Sequence, residues 1–124
     1  MLKKSVPVLL LSLLLAGCAT QITNLTPLQQ VRNPNNFYSV EAAFNSSQQT
    51  VRWQSIHPRI LVGKDAYDMR PTLLMTNRWE GLIPVPPGAK SVEYRYRFDF
   101  NYNRMGAPGN DSALSPKYIL RIID

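Results

Sequence analysis

The clearest pattern in this chain is a strict alternation of bulky and polar side chains over residues 92–103. The bulky set is Val92, Tyr94, Tyr96, Phe98, Phe100 and Tyr102, and the polar set is Glu93, Arg95, Arg97, Asp99, Asn101 and Asn103. A period of two puts alternate side chains on opposite faces of a β-strand. The segment therefore predicts an antiparallel strand with one buried face, and a wet face whose mixed charges form cross-strand ion pairs.

Shorter segments with the same character predict further strands, at residues 22–25, 38–44, 56–62, 73–75, 78–85 and 117–123. The 10 Pro and 6 Gly are scattered along the chain, and no stretch has the 3.6-residue period of an amphipathic helix. About seven strands at this spacing are typical of a sandwich. At 124 residues, the chain is predicted to form one all-β domain, a small antiparallel sandwich.

The N-terminal segment has a different character. Lys3 and Lys4 precede an apolar run over residues 6–16. A membrane-spanning helix needs about 20 apolar residues, so this run is too short to be a permanent anchor. Basic residues followed by a short apolar stretch are typical of a secretory signal peptide, which predicts export.

The residues that end this run, Leu15, Ala16, Gly17 and Cys18, resemble the lipobox of bacterial lipoproteins. The resemblance implies cleavage between Gly17 and Cys18 and attachment of diacylglycerol to the Cys18 thiol. Two or three acyl chains would then hold the protein on a bilayer. Two alternatives stay open: an ordinary signal peptide that ends near a cysteine, and an uncleaved hydrophobic helix.

The predicted organisation is a signal peptide over residues 1–17, a lipidated N-terminus and short tether over 18–21, and a β-sandwich domain over 22–124. The residue after the cysteine is Ala19 and not Asp. In the Gram-negative sorting logic of this family, that favours the outer membrane over the inner membrane. The expected location is therefore the bacterial cell envelope, with the lipid on Cys18 as the membrane contact.

A second resemblance covers residues 82–116. Pro87 and Gly88, then Tyr94 and the alternating stretch after it, resemble the E–F corner, strand F and F–G loop of fibronectin type III and related immunoglobulin-like domains. The resemblance implies that Tyr94 is a corner tyrosine whose hydroxyl bonds to backbone upstream, and that Phe44 stands where the family carries a buried tryptophan. The chain as a whole resembles small bacterial envelope lipoproteins, a likeness that implies no activity.

Charge narrows the set of partners. Without residues 1–17 the chain keeps 12 Lys and Arg against 8 Asp and Glu, a net charge of +4. This modest excess favours anionic lipids, anionic glycans or an acidic patch on a protein partner. Nucleic acid is not expected as a partner, because export removes the protein from the cytoplasm and no recognition motif accompanies the charge.

Residues for catalysis or metal binding are sparse. His57 is the one histidine and Cys18 the one cysteine, so a metal site or a Cys–His pair cannot be built from them. Asp65 and Asp68 lie in a predicted loop without calcium-loop spacing, and we interpret them as turn formers. The serines lie in no nucleophile motif. The chain is therefore expected to be no enzyme and to bind no cofactor or metal.

Trp53 and Trp79 are the remaining candidates for ligand contact. Each is flanked by charged or amide residues, and either indole could be an exposed platform for a sugar ring or a protein partner, although core packing is the more common role. Our first prediction is a lipid-anchored, noncatalytic structural or protein-interaction module that binds through a sheet edge or the loops at one end. The alternative is a glycan or peptidoglycan binder, which requires an exposed indole beside amides.

Overall fold

The computed structural model describes residues 20–46 and 50–124, and these ranges contain ten strands and no helix. The strands are β1 (Thr20–Asn24), β2 (Gln29–Val31), β3 (Phe37–Ser46), β4 (Val51–Val62), β5 (Asp65–Asp68), β6 (Arg70–Pro71), β7 (Arg78–Pro84), β8 (Ser91–Tyr102), β9 (Gly109–Leu114) and β10 (Tyr118–Ile123). Within these ranges, no helix is available to cross a membrane.

The strands form two sheets. The smaller sheet has the order β1-β3-β7-β6, and the larger has the order β2-β10-β8-β4-β5, with β9 also paired to β8. All pairs are antiparallel except β2 with β10. This is the strand order of an immunoglobulin-like sandwich, with strands A, B, E and D in one sheet and C, F and G in the other. The predicted fold class is therefore confirmed.

The described residues form ten strands and not the predicted seven, because β2, β5, β6 and β9 are additional and residues 73–75 are not a strand. Two of the additions, β2 and β9, arise where proline interrupts a strand. The first edge strand leaves the smaller sheet after Asn24, passes Pro27 and joins the larger sheet as β2. The last strand is divided at Pro116 into β9 and β10, which pair with successive parts of β8. Proline has no N–H to donate, which weakens the ladder at these two points.

Several predicted boundaries differ from the structure. Residues 73–75 form a turn and not a strand, because three apolar residues with no alternation have no strand neighbour there. Residues 65–68 and 109–114, expected as loops, are strands β5 and β9, whose pairing depends on β4 and β8 rather than on their own polar sequences. Thr20 and Gln21, predicted to belong to the tether, lie in β1.

The core is built on the predicted aromatic face of β8. Tyr94, Tyr96, Phe98 and Phe100 are buried, while the residues between them are more exposed, as the alternation predicts. Phe44 of β3 is also buried and stacks on Phe98, with ring centroids 4.9 Å apart and the planes 7° from parallel. Phe44 thus occupies the core position at which the family resemblance implies a tryptophan.

A buried polar network ties the first strand to β8. The Tyr96 hydroxyl donates to Asn24 Oδ1 at 2.7 Å and lies 3.0 Å from Thr26 Oγ1. Thr26 Oγ1 accepts from the Glu41 N–H at 2.9 Å. The network therefore joins both sheets at the point where the edge strand passes from one to the other.

The corner-tyrosine expectation needs correction. The hydrogen bond that the structure gives the Tyr94 hydroxyl is from Asn24 Nδ2, at 2.9 Å, and not from backbone upstream of Tyr94. Asn24 lies in β1, so the tyrosine fastens an edge strand instead of the β7–β8 corner.

Candidate functional site

A local irregularity in β4 determines where Trp53 lies. The pairing of β4 with β8 shifts register between Arg52 and His57. Ser55 compensates for the interrupted ladder, because its Oγ accepts from the Asn101 N–H at 2.8 Å and donates to the Arg52 carbonyl at 2.6 Å. Bulges of this kind redirect side chains near the ends of a sheet. Trp53 here reaches across to the smaller sheet, where it contacts Trp79 of β7.

The two tryptophans have different roles. Their indoles are stacked with centroids 6.4 Å apart and planes 4° from parallel, but Trp53 is 49% exposed and Trp79 only 6%. Trp79 also packs edge-on against Phe98 at 5.4 Å, so both sides of its ring system are occupied by core or by Trp53. The candidate role of Trp79 as a ligand platform is thereby corrected: it supports Trp53 from below. Of the two indoles, that of Trp53 is the exposed one.

Amide and hydroxyl groups lie beside the exposed indole. Asn45, Thr76 and Asn77 line a cleft of about 440 Å³ together with Trp53. Asn77 Nδ2 donates to Asn45 Oδ1 at 2.9 Å. This bond does not use Asn77 Oδ1 or Asn45 Nδ2, the other acceptor and donor atoms of the two amides. An aromatic face next to fixed amides can stack on a sugar ring and bond its hydroxyls. This arrangement meets the requirement set by the glycan alternative.

Trp53 also lines a second groove, of about 340 Å³. Its lining is mostly apolar and includes Ile56, Pro58, Met69 and Pro71. His57 also lines this groove, but its Nε2 is 3.0 Å from Asp68 Oδ1, so the histidine has a carboxylate partner on β5. A further concavity, of about 700 Å³, lies between β5 and β7 and contains the Arg70–Glu80 ion pair, 3.6 Å long.

The outer face of the larger sheet combines charge with exposed apolar side chains. Asp99 of β8 forms an ion pair across strands with Arg59 of β4, as predicted, and a second pair within its own strand with Arg97 at 3.1 Å. Desolvation alone would raise the pKa of Asp99, but hydrogen bonds from Arg97 and Arg59 outweigh it and hold the pKa below its usual value. Leu114 and Ile119 lie exposed on the same face.

We name this surface the large-sheet face: the outward side chains Val31, Leu61, Arg95, Arg97, Leu114, Ile119 and Ile123. The alternation in β8 predicted the charges of this face. Its apolar members were not predicted, because β2, β4, β9 and β10 must assemble with β8 before their outward residues share a face.

Gly17 and Cys18, the predicted cleavage and lipid-attachment residues, lie outside the described residues. Over 20–46 and 50–124, no cluster of three or more His, Asp or Glu side chains could hold a metal ion. The candidate residues Trp53 and Trp79 are brought together, and Asp65 and Asp68 lie in β5 and not in a loop.

Comparison with known proteins adds little to this description. No protein-family model matches the chain, and no curated protein matches it significantly. A solved structure of murine CRIg is similar with a TM-score of 0.45 and 9% sequence identity, over 84% of this chain and 99% of that chain. A likeness of this size carries no argument about function, so the fold rests on the strand order described above.

Proposed function

We propose that this chain is a lipid-anchored bacterial envelope lipoprotein whose immunoglobulin-like domain binds another envelope protein and catalyses no reaction. The anchor is a diacylglyceryl group on Cys18, and the outer membrane is the expected location. The basis for the anchor is the sequence Leu15, Ala16, Gly17 and Cys18 after a short apolar run.

The observation that supports the binding role is the large-sheet face. Ile119 is 60% exposed and Leu114 is also exposed, and both lie on strands of the larger sheet. Large apolar side chains on a sheet surface beside charged groups are typical of protein–protein contact sites. Asp99 and its two arginines form a fixed charged element next to them, which would set the orientation of a partner.

The anchor is tested by Cys18→Ser in the full chain. We expect the native protein to have an N-terminus at Cys18, to carry the mass of its acyl chains and to fractionate with membranes. The variant should lose the acyl mass and the membrane fraction while its domain still folds. A variant that remains firmly on membranes would contradict the anchor.

The binding face is tested with a photo-crosslinking amino acid at Ile119 in intact cells. Leu82 is the matched control, because it is similarly exposed but lies on the smaller sheet. We expect a crosslinked species of one defined mass from position 119, lost when Leu114→Asp is added, and none from position 82. Identical products from the two positions would exclude the large-sheet face as the binding surface.

The second candidate is a glycan-binding role, supported by the exposed Trp53 indole beside Asn45 and Asn77. Soluble peptidoglycan fragments should then quench or shift the fluorescence of the protein, and Trp53→Ala should abolish binding. Phe37→Ala, an exposed aromatic at the other end of β3, is the matched control and should leave binding unchanged. Equal binding by both variants would reject this candidate.

A further inference from the structure

One end of the sandwich is defined by where the chain enters it. Thr20, the first described residue, pairs with Ser46 at the end of β3, and the Asn103 N–H donates to the Thr50 carbonyl at 2.9 Å. The turn of residues 72–77 lies at this end too, because the Phe44 N–H donates to the Asn77 carbonyl at 3.0 Å. We call it the anchor end, made of Thr20, Ser46, Thr50, Asn103 and residues 72–77.

The turn at the anchor end presents apolar side chains to solvent. Leu73 is 84% exposed, Leu74 is 94% exposed, and Met75 is also exposed. The Met75 N–H donates to the Thr72 carbonyl at 3.1 Å, which closes the turn. Three consecutive apolar residues are therefore held outward on a short, hydrogen-bonded loop and contribute little to the core.

The backbone conformation of Leu74 is unusual for a leucine. Its φ is 65°, in the left-handed region that glycine and asparagine adopt easily and other residues adopt at a cost. A leucine here is thus unfavourable for folding in two ways, since it is both exposed and strained. Strain and exposure that the fold does not need point to a contact made outside the domain.

Neighbouring residues at the anchor end are also exposed and are apolar, aromatic or basic. Met105, in the loop between β8 and β9, is fully exposed, and Trp53 lies beside Thr76 of the turn. Arg52 and Arg104 are exposed, and within 20–46 and 50–124 neither forms an ion pair. Leucine and methionine with tryptophan and arginine nearby are the residues that bind the interface of an anionic bilayer.

We propose that the turn Leu73–Leu74–Met75 inserts into the surface of the bilayer that carries the lipid on Cys18, an inference that rests on the proposed anchor. Cys18 precedes Thr20 by two residues, so its Cα can lie at most about 7 Å from that of Thr20. The turn is displaced from Thr20 sideways by two strand spacings, roughly 10 Å. The lipid therefore brings the membrane surface to the level of the turn.

This contact would orient the domain. A single flexible attachment leaves a domain free to tilt, whereas a second contact beside it fixes the long axis of the sandwich relative to the membrane. The opposite end also exposes apolar residues, among them Leu28 and Phe37, but it lies roughly 30 Å away along β3. The large-sheet face would then stand upright and remain open to a partner.

The test uses the lipidated full chain with Leu74→Cys. Cys18 is the one natural cysteine and its thiol is alkylated in this form, so the new thiol alone reacts with an environment-sensitive fluorophore. Lys64→Cys is the matched control, because Lys64 is an exposed turn residue at the far end of β4, roughly 35 Å away. Both are reconstituted in vesicles of phosphatidylethanolamine and phosphatidylglycerol.

We expect a blue shift, loss of iodide quenching and strong quenching by nitroxide lipids for the label at 74, and none of these at 64. A second pair of proteins carries the label at Met105, with and without Leu73→Ser and Leu74→Ser. The serines should return that label to water, while near-native thermal stability shows that the fold is intact.

The outcomes are separable. Intact mass without acyl chains would overturn the anchor and this inference together. Full acyl mass with the label at 74 as accessible as the label at 64 would overturn the inference alone, and so would a Met105 label unaffected by the serines. Protection of the label at 74 by sheared peptidoglycan, and not by vesicles, would assign the turn to a glycan instead.

Discussion

Replacing Tyr96 by Phe removes one buried hydroxyl and almost no volume, so it isolates the polar network that joins β1 to β8. The hydroxyl donates to Asn24 Oδ1 at 2.7 Å, and the Glu41 carbonyl oxygen at 3.1 Å is a second acceptor. Thr26 Oγ1, 3.0 Å away, completes its surroundings. These groups come from β1, from the segment that follows it and from β3, so one hydroxyl holds three parts of the chain together.

The expected loss of stability depends on which buried polar groups the substitution leaves without a hydrogen bond. A net hydrogen bond contributes about 1 kcal/mol, and a buried group left without its partner costs about 1–3 kcal/mol. In the variant, Thr26 Oγ1 still accepts from the Glu41 N–H and Asn24 Oδ1 still accepts from the Thr26 N–H, so each oxygen retains a hydrogen bond. We therefore expect Tyr96→Phe to lower the free energy of unfolding by about 1–2 kcal/mol, or Tm by roughly 4–16 °C for a domain of this size.

The assay is urea or thermal unfolding followed by circular dichroism, with Tyr102→Phe as control. Tyr102 is half-buried in the same strand, and across residues 20–46 and 50–124 its hydroxyl has no hydrogen bond, so its loss should be near zero. Thr26→Val alone and combined with Tyr96→Phe should reveal coupling between the two side chains. Equal stability of the Tyr96→Phe and Tyr102→Phe proteins would refute the network as a source of stability.

Further predictions concern the core, the charges and the exposed turn. Phe98→Ala should lower unfolding stability by about 3–5 kcal/mol because Phe98 is fully buried in the aromatic core, and a loss below about 1 kcal/mol in urea unfolding would show that its face is misassigned. Burial raises the pKa of both Tyr96 and Tyr118 above the ordinary value, so folding stability should be complete below about pH 10 and fall as the pH rises further; flat stability to pH 12 would contradict this. The lowered pKa of Asp99 has the opposite sign, so its contribution should be present above about pH 4 and lost on acidification, and Asp99→Asn should cost about 1 kcal/mol at neutral pH and little at pH 2. Leu74→Asn should leave the free energy of unfolding unchanged or raise it by up to about 1 kcal/mol, because asparagine tolerates a positive φ and no buried contact is lost. A clear decrease in Tm would mean that Leu74 packs in the domain.

Local patterns predicted the main strands well. The twelve-residue strand β8 and its buried aromatic face followed from alternation alone, because a period of two admits one arrangement on a half-buried strand. The apolar triplet of residues 73–75 was misread as a strand, since a short apolar run without alternation does not distinguish a strand from an exposed turn. The polar strand β9 was missed for the converse reason: its pairing with β8, and not its composition, makes it a strand.

The candidate surfaces depended more strongly on tertiary structure. Trp53 and Trp79 have similar sequence neighbours, yet one is half-exposed and the other buried. The difference arises from the irregularity in β4, which is visible only once β4 is paired with β8. The apolar members of the large-sheet face are likewise distributed over separate strands, and no single segment shows that they are neighbours.

The sequence by itself determined the all-β class, the inward face of β8 and the prediction of an exported, lipid-modified chain, because each depends on residues adjacent along the chain. Only the tertiary structure decided which indole is exposed, that Asn24 and Thr26 meet Tyr96, and that the 72–77 turn lies at the end where the chain enters. The physical reason is that exposure and cross-sheet hydrogen bonding depend on which strands become neighbours. Sheet formation brings together residues that are as many as 92 positions apart along this chain, such as Gln29 and Arg121.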